Sequence, residues 1–221
     1  GHIDHKMTGL LKITTHGSVW KRIFQLCLLS LSISMARSLS ADEYLSLGDD
    51  ALSKGSNEKA VDPYKEGIAS LTDDESLLTV LSLETNLGSE LSSIGLNEEA
   101  ADHYRKAISS YSQEIDEIGD KETEAYAKEI TSQASFYLGM VLQDMGESRK
   151  SVDAYGYTVT LAPFHWASWA NLGSVFHDQL RLHDEALQAY NKAYEILTQT
   201  EVEPTDAPSE PRFILSQLQY R

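Results

Sequence analysis

The stretch WASWANLGSVFHDQLRLHDEALQAYNKAYEIL, residues 166–197, decides the fold of this chain. Large and small apolar residues recur in it at helical spacing, on both sides of a polar break. That spacing predicts two helices that fold back on each other as a hairpin. Whether the hairpin belongs to a single packed core or to an array depends on whether its pattern recurs along the chain.

The pattern recurs three times upstream, each time around a Leu-Gly pair. The matching segments are YLSLGDDALSKGSNEKAVDPYKEGI, ETNLGSELSSIGLNEEAADHYRKAI and SFYLGMVLQDMGESRKSVDAYGYTV. With the opening stretch they place a glycine mid-way through a predicted first helix at Gly48, Gly88, Gly139 and Gly173. A Gly inside a helix costs about 1 kcal/mol relative to Ala, so four of them at matched places indicate close helix approach.

Each predicted second helix opens with a small residue, and a tyrosine follows four residues later. The small residues are Ala60, Ala100, Ser151 and Ala186, and the tyrosines are Tyr64, Tyr104, Tyr155 and Tyr190. We expect the small residue to let the helices touch and the tyrosine to fill the space beside the contact.

The four copies differ in length and in their turns. Gly55, Gly95 and Gly146 mark the turns of the first three copies, whereas the fourth has no turn glycine and one extra residue, which we assign to its turn. Extra residues also fall at about 75–80 and 115–131, where Ile108, Tyr111, Ile115 and Ile118 keep helical apolar spacing and predict lengthened helices. Pro63 is expected to kink its helix or delay the start of that helix.

These residues resemble the tetratricopeptide repeat (TPR) family of paired antiparallel helices with a 34-residue unit. In the fourth copy the resemblance is carried by Trp169, Leu172, Gly173, Ala186, Tyr190 and Ala193, and Pro163 stands where the family commonly ends a repeat. The resemblance implies an all-α fold, an α-solenoid of about four antiparallel helical hairpins, some with lengthened helices. It covers residues 41–199, in units of about 41–74, 75–114, 115–165 and 166–199.

The flanking segments have different compositions. Residues 1–6 have the character of a cloning remnant, and residues 7–40 combine basic residues with a mostly apolar run at 23–35 and no Asp or Glu. That layout is typical of a secretory signal peptide, and also fits an organelle transit peptide or an apolar segment buried against the domain or a second chain. The first two readings place the protein in the secretory pathway or an organelle lumen, and the third in the cytoplasm.

Residues 200–211 have a Pro-rich linker composition, and residues 212–221 form either a capping helix or the start of another domain.

The net charge, the single cysteine and the lack of catalytic motifs exclude several classes of function. The net charge is −16, and residues 42–221 carry 13 Lys and Arg against 33 Asp and Glu, a net of −20, which disfavours nucleic acid as a partner. A single cysteine, Cys27, excludes an internal disulfide. We find no phosphate loop and no nucleophile turn, and His177, His183, Asp178 and Asp184 lack the spacing of metal ligands. The sequence therefore predicts no catalytic residues, no metal site and no cofactor.

The resemblance implies that the first helices line a concave face that binds polypeptides. The residues beside the Leu-Gly pairs are then expected to face this groove: Leu45, Asp49, Asn86, Ser89, Phe136, Tyr137, Met140, Asn171, Ser174 and His177. Asn86 and Asn171 offer an amide that can bond a peptide backbone, unless they are simply solvated. Phe136, Tyr137 and Met140 form an apolar patch, unless the lengthened neighbouring helix buries them.

The sequence thus predicts a protein-interaction module that binds an extended peptide or a helix of a partner, without catalysis. Chaperone-binding members of the family that this chain resembles hold a C-terminal carboxylate with several Lys and Arg on the first helices. Here the corresponding positions are Leu45, Asp49, Ser89 and Phe136, so a chaperone C-terminus is an unsuitable ligand. The net charge favours a basic or apolar partner. Two alternatives remain: the repeat segment of a larger enzyme that continues beyond Arg221, and a structural array that self-associates.

Overall fold

The computed structural model describes residues 39–199, and every regular element in this range is helical. The α-helices are α1 Ala41–Ser53, α2 Asn57–Ala69, α3 Leu77–Ser93, α4 Asn97–Glu114, α5 Lys121–Asp144, α6 Ser148–Leu161, α7 Trp166–Ser174 and α8 His183–Gln199. A 3-10 turn, Ile115–Glu117, follows α4, and a π-helical segment, Val175–Gln179, continues α7. No helix in this range is long and apolar enough to cross a membrane.

The helices pair in sequence order as four hairpins, α1 with α2, α3 with α4, α5 with α6 and α7 with α8. Each second helix also packs on the first helix of the next hairpin, so the hairpins stack in a row. In addition, α1 packs on α3 and α3 packs on α5, whereas no two successive second helices pack to that extent. The helices α1, α3 and α5 therefore lie together on one side, the inner side of the array. α7 reaches this side through Asn171, which bonds the same Tyr155 hydroxyl as Gln143 of α5. The predicted all-α solenoid of four hairpins is confirmed.

The recurring glycines make room for the recurring tyrosines. A Cβ atom added to Gly88 would lie 2.8 Å from Tyr104 Cε1, and one added to Gly173 would lie 2.6 Å from Tyr190 Cδ1. Gly48 and Gly139 meet Tyr64 and Tyr155 in the same way. The tyrosine ring therefore lies on the glycine itself. The small residue does bring the helices together, since Ser151 Oγ donates a 2.9 Å hydrogen bond to the carbonyl of Gly139.

The turns of the first three hairpins use glycine for its backbone freedom. Gly55, Gly95 and Gly146 have φ values of 72°, 83° and 76°, in the left-handed region that other residues avoid. In the fourth hairpin Arg181 takes this conformation, with φ 59°.

The assignment of the extra residue of the fourth hairpin to its turn is wrong. The left-handed residue precedes the small residue by five positions in every hairpin, so the turn itself keeps its length. The extra residue lies before the turn, where the first helix widens into the π-helical segment Val175–Gln179. A single inserted residue is what such a bulge accommodates inside a helix.

Three helices contribute to the longer spacing between the repeats. α3 has 17 residues, α4 has 18 and α5 has 24, against 13 in α1 and α2. A short break at residues 118–120 separates α4 from α5 after the 3-10 turn, and Asp120 caps α5 by accepting a 2.8 Å hydrogen bond from Thr123 N–H. The prediction of lengthened helices is confirmed for the segment 115–131, apart from this break. At 75–80 it holds only in part, because the helix α3 begins at Leu77 and residues 71–76 are not helical.

Pro63 lies inside α2 without delaying its start. α2 begins three residues before Ala60, just as α4 begins three residues before Ala100. The expectation of a delayed start is therefore wrong, since the proline follows the first helical turn. The proposed cloning remnant, the targeting-like segment up to residue 38, the linker at 200–211 and the capping helix at 212–221 lie outside the described residues.

Candidate functional site

The hydroxyl groups of the four recurring tyrosines lie along the inner face of the array. We call these four residues, Tyr64, Tyr104, Tyr155 and Tyr190, the hydroxyl row. Each ring is held against a glycine of the first helix, so its hydroxyl reaches a polar side chain of that helix. Tyr64 Oη donates to Asp49 Oδ1 at 2.7 Å, and Tyr155 Oη donates to Gln143 Oε1 at 3.0 Å. Ser89 lies near the hydroxyl of Tyr104 and Ser174 near that of Tyr190, and each serine lowers the pKa of its tyrosine. Asp49, Ser89 and Ser174 each directly follow the glycine of a Leu-Gly pair.

The two predicted asparagines bridge neighbouring hairpins. Asn86 Nδ2 on α3 donates to Asp49 Oδ1 on α1 at 3.2 Å, and Asn171 Nδ2 on α7 donates to Tyr155 Oη on α6 at 3.2 Å. Each bond uses one N–H of the amide and fixes the orientation of the side chain. Neither amide oxygen accepts a hydrogen bond from the residues that the structure describes, so both remain open on the inner face.

Aromatic side chains occupy the middle of this face. Tyr137 stands at the place of Asn86 and Asn171, directly before a Leu-Gly pair, and its ring lies 6.0 Å from that of Tyr104. The Phe136 ring lies 5.9 Å from Tyr155 and 4.8 Å, edge-on, from the imidazole of His165. Both predicted aromatics are half-buried, and Met140 is 41% exposed. The apolar patch is therefore partly accessible and is not covered by a neighbouring helix.

The remaining predicted residues have different surroundings. Leu45 is half-buried and packs against the core, so little of it faces the groove. Ser174 Oγ donates to Asp178 Oδ2 at 3.1 Å, and His177 Nδ1 lies 2.7 Å from Asp178 Oδ1. The imidazoles of His177 and His183 are 5.3 Å apart, but the described part of the chain holds no group of three side chains arranged to bind a metal ion.

Burial and carboxylates together set the electrostatics of the hydroxyl row. Burial raises the pKa of Tyr64, Tyr104 and Tyr155 well above the usual range, and raises that of Tyr190 to about 12. Nearby carboxylates raise these values further: Asp49 and Glu90 at Tyr64, Glu90 at Tyr104, Asp144 at Tyr155 and Asp178 at Tyr190. The hydroxyls therefore stay protonated, each close to a negative charge.

Glu90 is a residue of this site that the sequence reasoning missed. Its side chain is on α3, is only 5% exposed, and has no hydrogen-bond partner for Oε2 among the described residues. Burial raises the pKa of its carboxyl group, and the nearby Ser93 hydroxyl donates to the backbone carbonyl of Glu90 at 2.8 Å. The available signal was its position, two residues after Gly88 and one before Leu91, where a Glu interrupts the apolar face of the helix. Gln143, Asp144 and Asp178, which also border the hydroxyl row, were likewise not selected.

These observations define a class of protein, the helical-hairpin solenoid with a polar and aromatic inner face. Sequence profiles of the tetratricopeptide repeat match residues 85–114 and residues 136–200. With the four stacked hairpins, they place the chain in the tetratricopeptide-repeat family. Such solenoids act as protein-interaction scaffolds, because stacking the repeats creates an extended binding surface.

The chain is similar to several solved structures, and the first of those described here supports the fold. MamA from AMB-1 is 19% identical over 71% of this chain and 78% of its own, with a TM-score of 0.52. A further MamA structure is 24% identical over 76% of this chain and 98% of its own, with a TM-score of 0.35. YrrB, described as a TPR protein with an unusual peptide-binding site, is 15% identical over 76% of this chain and 91% of its own, with a TM-score of 0.31. No curated protein sequence matches the chain.

Proposed function

We propose that the inner face binds an extended polypeptide of a partner protein, and that the chain acts through this binding without catalysis. The observation that carries the proposal is the recurrence of Asn86, Tyr137 and Asn171 at one register position in three successive hairpins. These side chains lie on first helices, which share the inner side of the array. A ligand that runs across the hairpins would meet the three in turn.

The chemistry of these side chains suits a peptide backbone. An extended peptide presents an N–H and a C=O at almost every residue, and both need partners when water is displaced. The open amide oxygens of Asn86 and Asn171 can accept from such N–H groups, and the bonds to Asp49 and Tyr155 already hold the amides in place. Side chains fixed before binding lose less entropy when the ligand arrives.

The aromatic patch supplies apolar contact between the two amides. Phe136 and Tyr137 are supported from behind by Tyr155 and Tyr104, and Met140 adds a flexible, exposed thioether. Aromatic side chains provide large contact area with few torsions to fix, and Met adapts to ligands of varied shape. We therefore place the centre of the binding site at this patch.

A selection experiment tests this proposal. A display library of random 12-residue peptides is panned on the immobilised full chain, and the affinity of each selected peptide is measured by fluorescence anisotropy. We expect the double variant Tyr137→Ala, Asn171→Ala to weaken binding at least tenfold. The matched control Tyr194→Ala, Asn191→Ala, which removes exposed residues of the same types from the second helix α8, is expected to change the affinity less than twofold.

The half-buried Tyr137 requires a second, milder variant. Met140→Ser removes an exposed side chain and is expected to weaken the same peptides while leaving the circular dichroism spectrum and melting temperature unchanged. The proposal is wrong if none of the selected peptides distinguishes the inner-face variants from the α8 control.

A further inference from the structure

The basic residues of the described range avoid the first helices. α1, α3, α7 and the π-helical segment contain no Lys or Arg, and α5 contains only Lys121 and Lys128. Lys128 is 11 residues before Gly139, roughly 16 Å away along the helix axis. The second helices, in contrast, carry Lys59, Lys65, Arg105, Lys106, Arg149, Lys150 and Lys192.

Carboxylates border the hydroxyl row along its length. Asp49 lies in the first hairpin, Glu90 in the second, Asp144 in the third and Asp178 in the fourth, each close enough to raise the pKa of at least one tyrosine of the row. No Lys or Arg contributes to the electrostatics of these four tyrosines. Two histidines of the described residues lie near the face: His177 is bonded to Asp178 at one end, and His165 lies against Phe136 in the middle. The inner face is therefore negative at both ends, with an apolar centre.

The unpaired carboxylate of Glu90 is a second observation that favours a positively charged ligand on this face. A buried carboxylate oxygen without a hydrogen-bond partner costs about 1–3 kcal/mol or more, so native proteins rarely leave one unpaired. The charge of Glu90 acts on both Tyr64 and Tyr104, which places the carboxylate toward the row between the first two hairpins. A donor delivered by a ligand would satisfy it.

We propose that the occupant of the inner face is a cationic polypeptide segment in which Lys or Arg side chains flank an apolar centre. This inference rests on the proposed function and adds the class of ligand. The cationic side chains bind at the Asp49 and Glu90 end and at the Asp144 and Asp178 end, and the apolar centre packs on Phe136, Tyr137 and Met140.

The donor chemistry of Lys and Arg fits these sites. Both side chains offer only donors, and the carboxylates together with the hydroxyls of Tyr and Ser offer acceptors. A cation can also stack on the ring of Tyr137. Packed helices lie about 8–10 Å apart, so the two packed steps from Asp49 on α1 to Asp144 on α5 span roughly 20 Å, or about six extended residues.

The peptides selected on the full chain provide the test. Among those that depend on Tyr137 and Asn171, we expect Lys and Arg to be enriched and Asp and Glu to be depleted. Their affinity should fall at least tenfold between low and high salt, because exposed charges are screened within a few ångströms at high ionic strength. The variant Asp49→Asn, Asp144→Asn, Asp178→Asn keeps the shape of each side chain and should weaken binding about tenfold.

A charge-matched control separates the inner face from the general negative charge of the protein. Asp62→Asn, Glu66→Gln, Asp153→Asn removes three exposed carboxylates from the second helices and should change the affinity less than twofold. The inference fails if the groove-dependent peptides are neutral or acidic, or if the control weakens binding as much as the inner-face variant does. In either case the proposed function still stands, whereas a selection with no groove-dependent peptide removes both.

Discussion

At the scale of single residues, the contact between a glycine and a tyrosine sets the geometry of each hairpin. Gly88 and Gly139 lie inside helices, where glycine is otherwise unfavourable, and the rings of Tyr104 and Tyr155 occupy the space that a Cβ would need. The same contact brings each hydroxyl to the inner face. One pair of residues therefore serves both the packing of the hairpin and the construction of the site.

Gly88→Ala tests this contact. The new Cβ would lie 2.8 Å from Tyr104 Cε1, and the buried ring has no room to move away. We expect a loss of about 1–3 kcal/mol in the free energy of unfolding, measured by urea denaturation. Gly156→Ala is the control, because nothing lies within 4 Å of its Cβ position in α6, and it should stabilise by up to about 1 kcal/mol. Equal effects of the two substitutions would contradict the account.

Glu90→Gln tests the cost of the buried carboxylate. Because burial raises its pKa, the folded protein takes up a proton at a higher pH than the unfolded chain does, so ionised Glu90 destabilises the fold at neutral pH. We expect the variant to be more stable by about 1 kcal/mol at pH 7. This gain should shrink as the pH falls toward about 4.3, the ordinary pKa of Glu, where the wild-type side chain is also neutral.

The exposed substitution Glu66→Gln controls for the loss of a negative charge. A Glu90→Gln variant that is no more stable than wild type at pH 7, or whose gain is independent of pH, would show that the carboxylate is not strained. If Glu90→Gln is more stable than wild type and also binds a cationic peptide more weakly, the Glu90 carboxylate lowers the stability of the fold while it contributes to binding.

At the scale of elements, the π-helical segment Val175–Gln179 distinguishes the fourth hairpin. It absorbs one residue and carries His177 and Asp178 at the end of the inner face. Deleting His177 should convert the segment to regular α-helix, because Gly173 would then precede the left-handed Arg181 by seven residues, as Gly88 precedes Gly95. We expect the melting temperature, followed by circular dichroism, to stay within a few degrees of wild type.

Deletion of Ser92 is the matched control in the second hairpin. It shortens a helix that has no extra residue, so it should move the buried Ala100 and Tyr104 out of register with Gly88. We expect the melting temperature to fall by about 10 °C, equivalent to roughly 3 kcal/mol. If the two deletions destabilise the protein equally, the extra residue does not lie in the helix.

The sequence predicted the hairpins because four copies of one spacing reinforce each other, whereas the groove formed by the residues beside each Leu-Gly pair stays a prediction. The place of the extra residue was not predictable, since an insertion between Gly173 and Ala186 changes the spacing equally whether it lies in the helix or in the turn. The bonds made by Asn86 and Asn171 were also missed, because they depend on how one hairpin stacks on the next. Glu90 was missed because its burial arises between hairpins.

At the scale of the whole described array, the separation of charge gives the two sides different roles. The first helices hold almost no Lys or Arg, while the second helices carry both signs. Mixed charge suits a solvated outer side, and a negative inner side with an aromatic centre suits a ligand of opposite charge. In the function we propose, the fold supplies the surface and a few side chains along the hydroxyl row select what binds there.

The most direct test of binding on the inner face is hydrogen–deuterium exchange of the full chain, with and without a saturating peptide taken from the display selection. We expect slower exchange in α3, in the second half of α5, and in α7 with its π-helical segment, and little change in α2 and α8. Protection confined to the second helices, or no protection at saturation, would contradict the proposal that this solenoid works through its inner face.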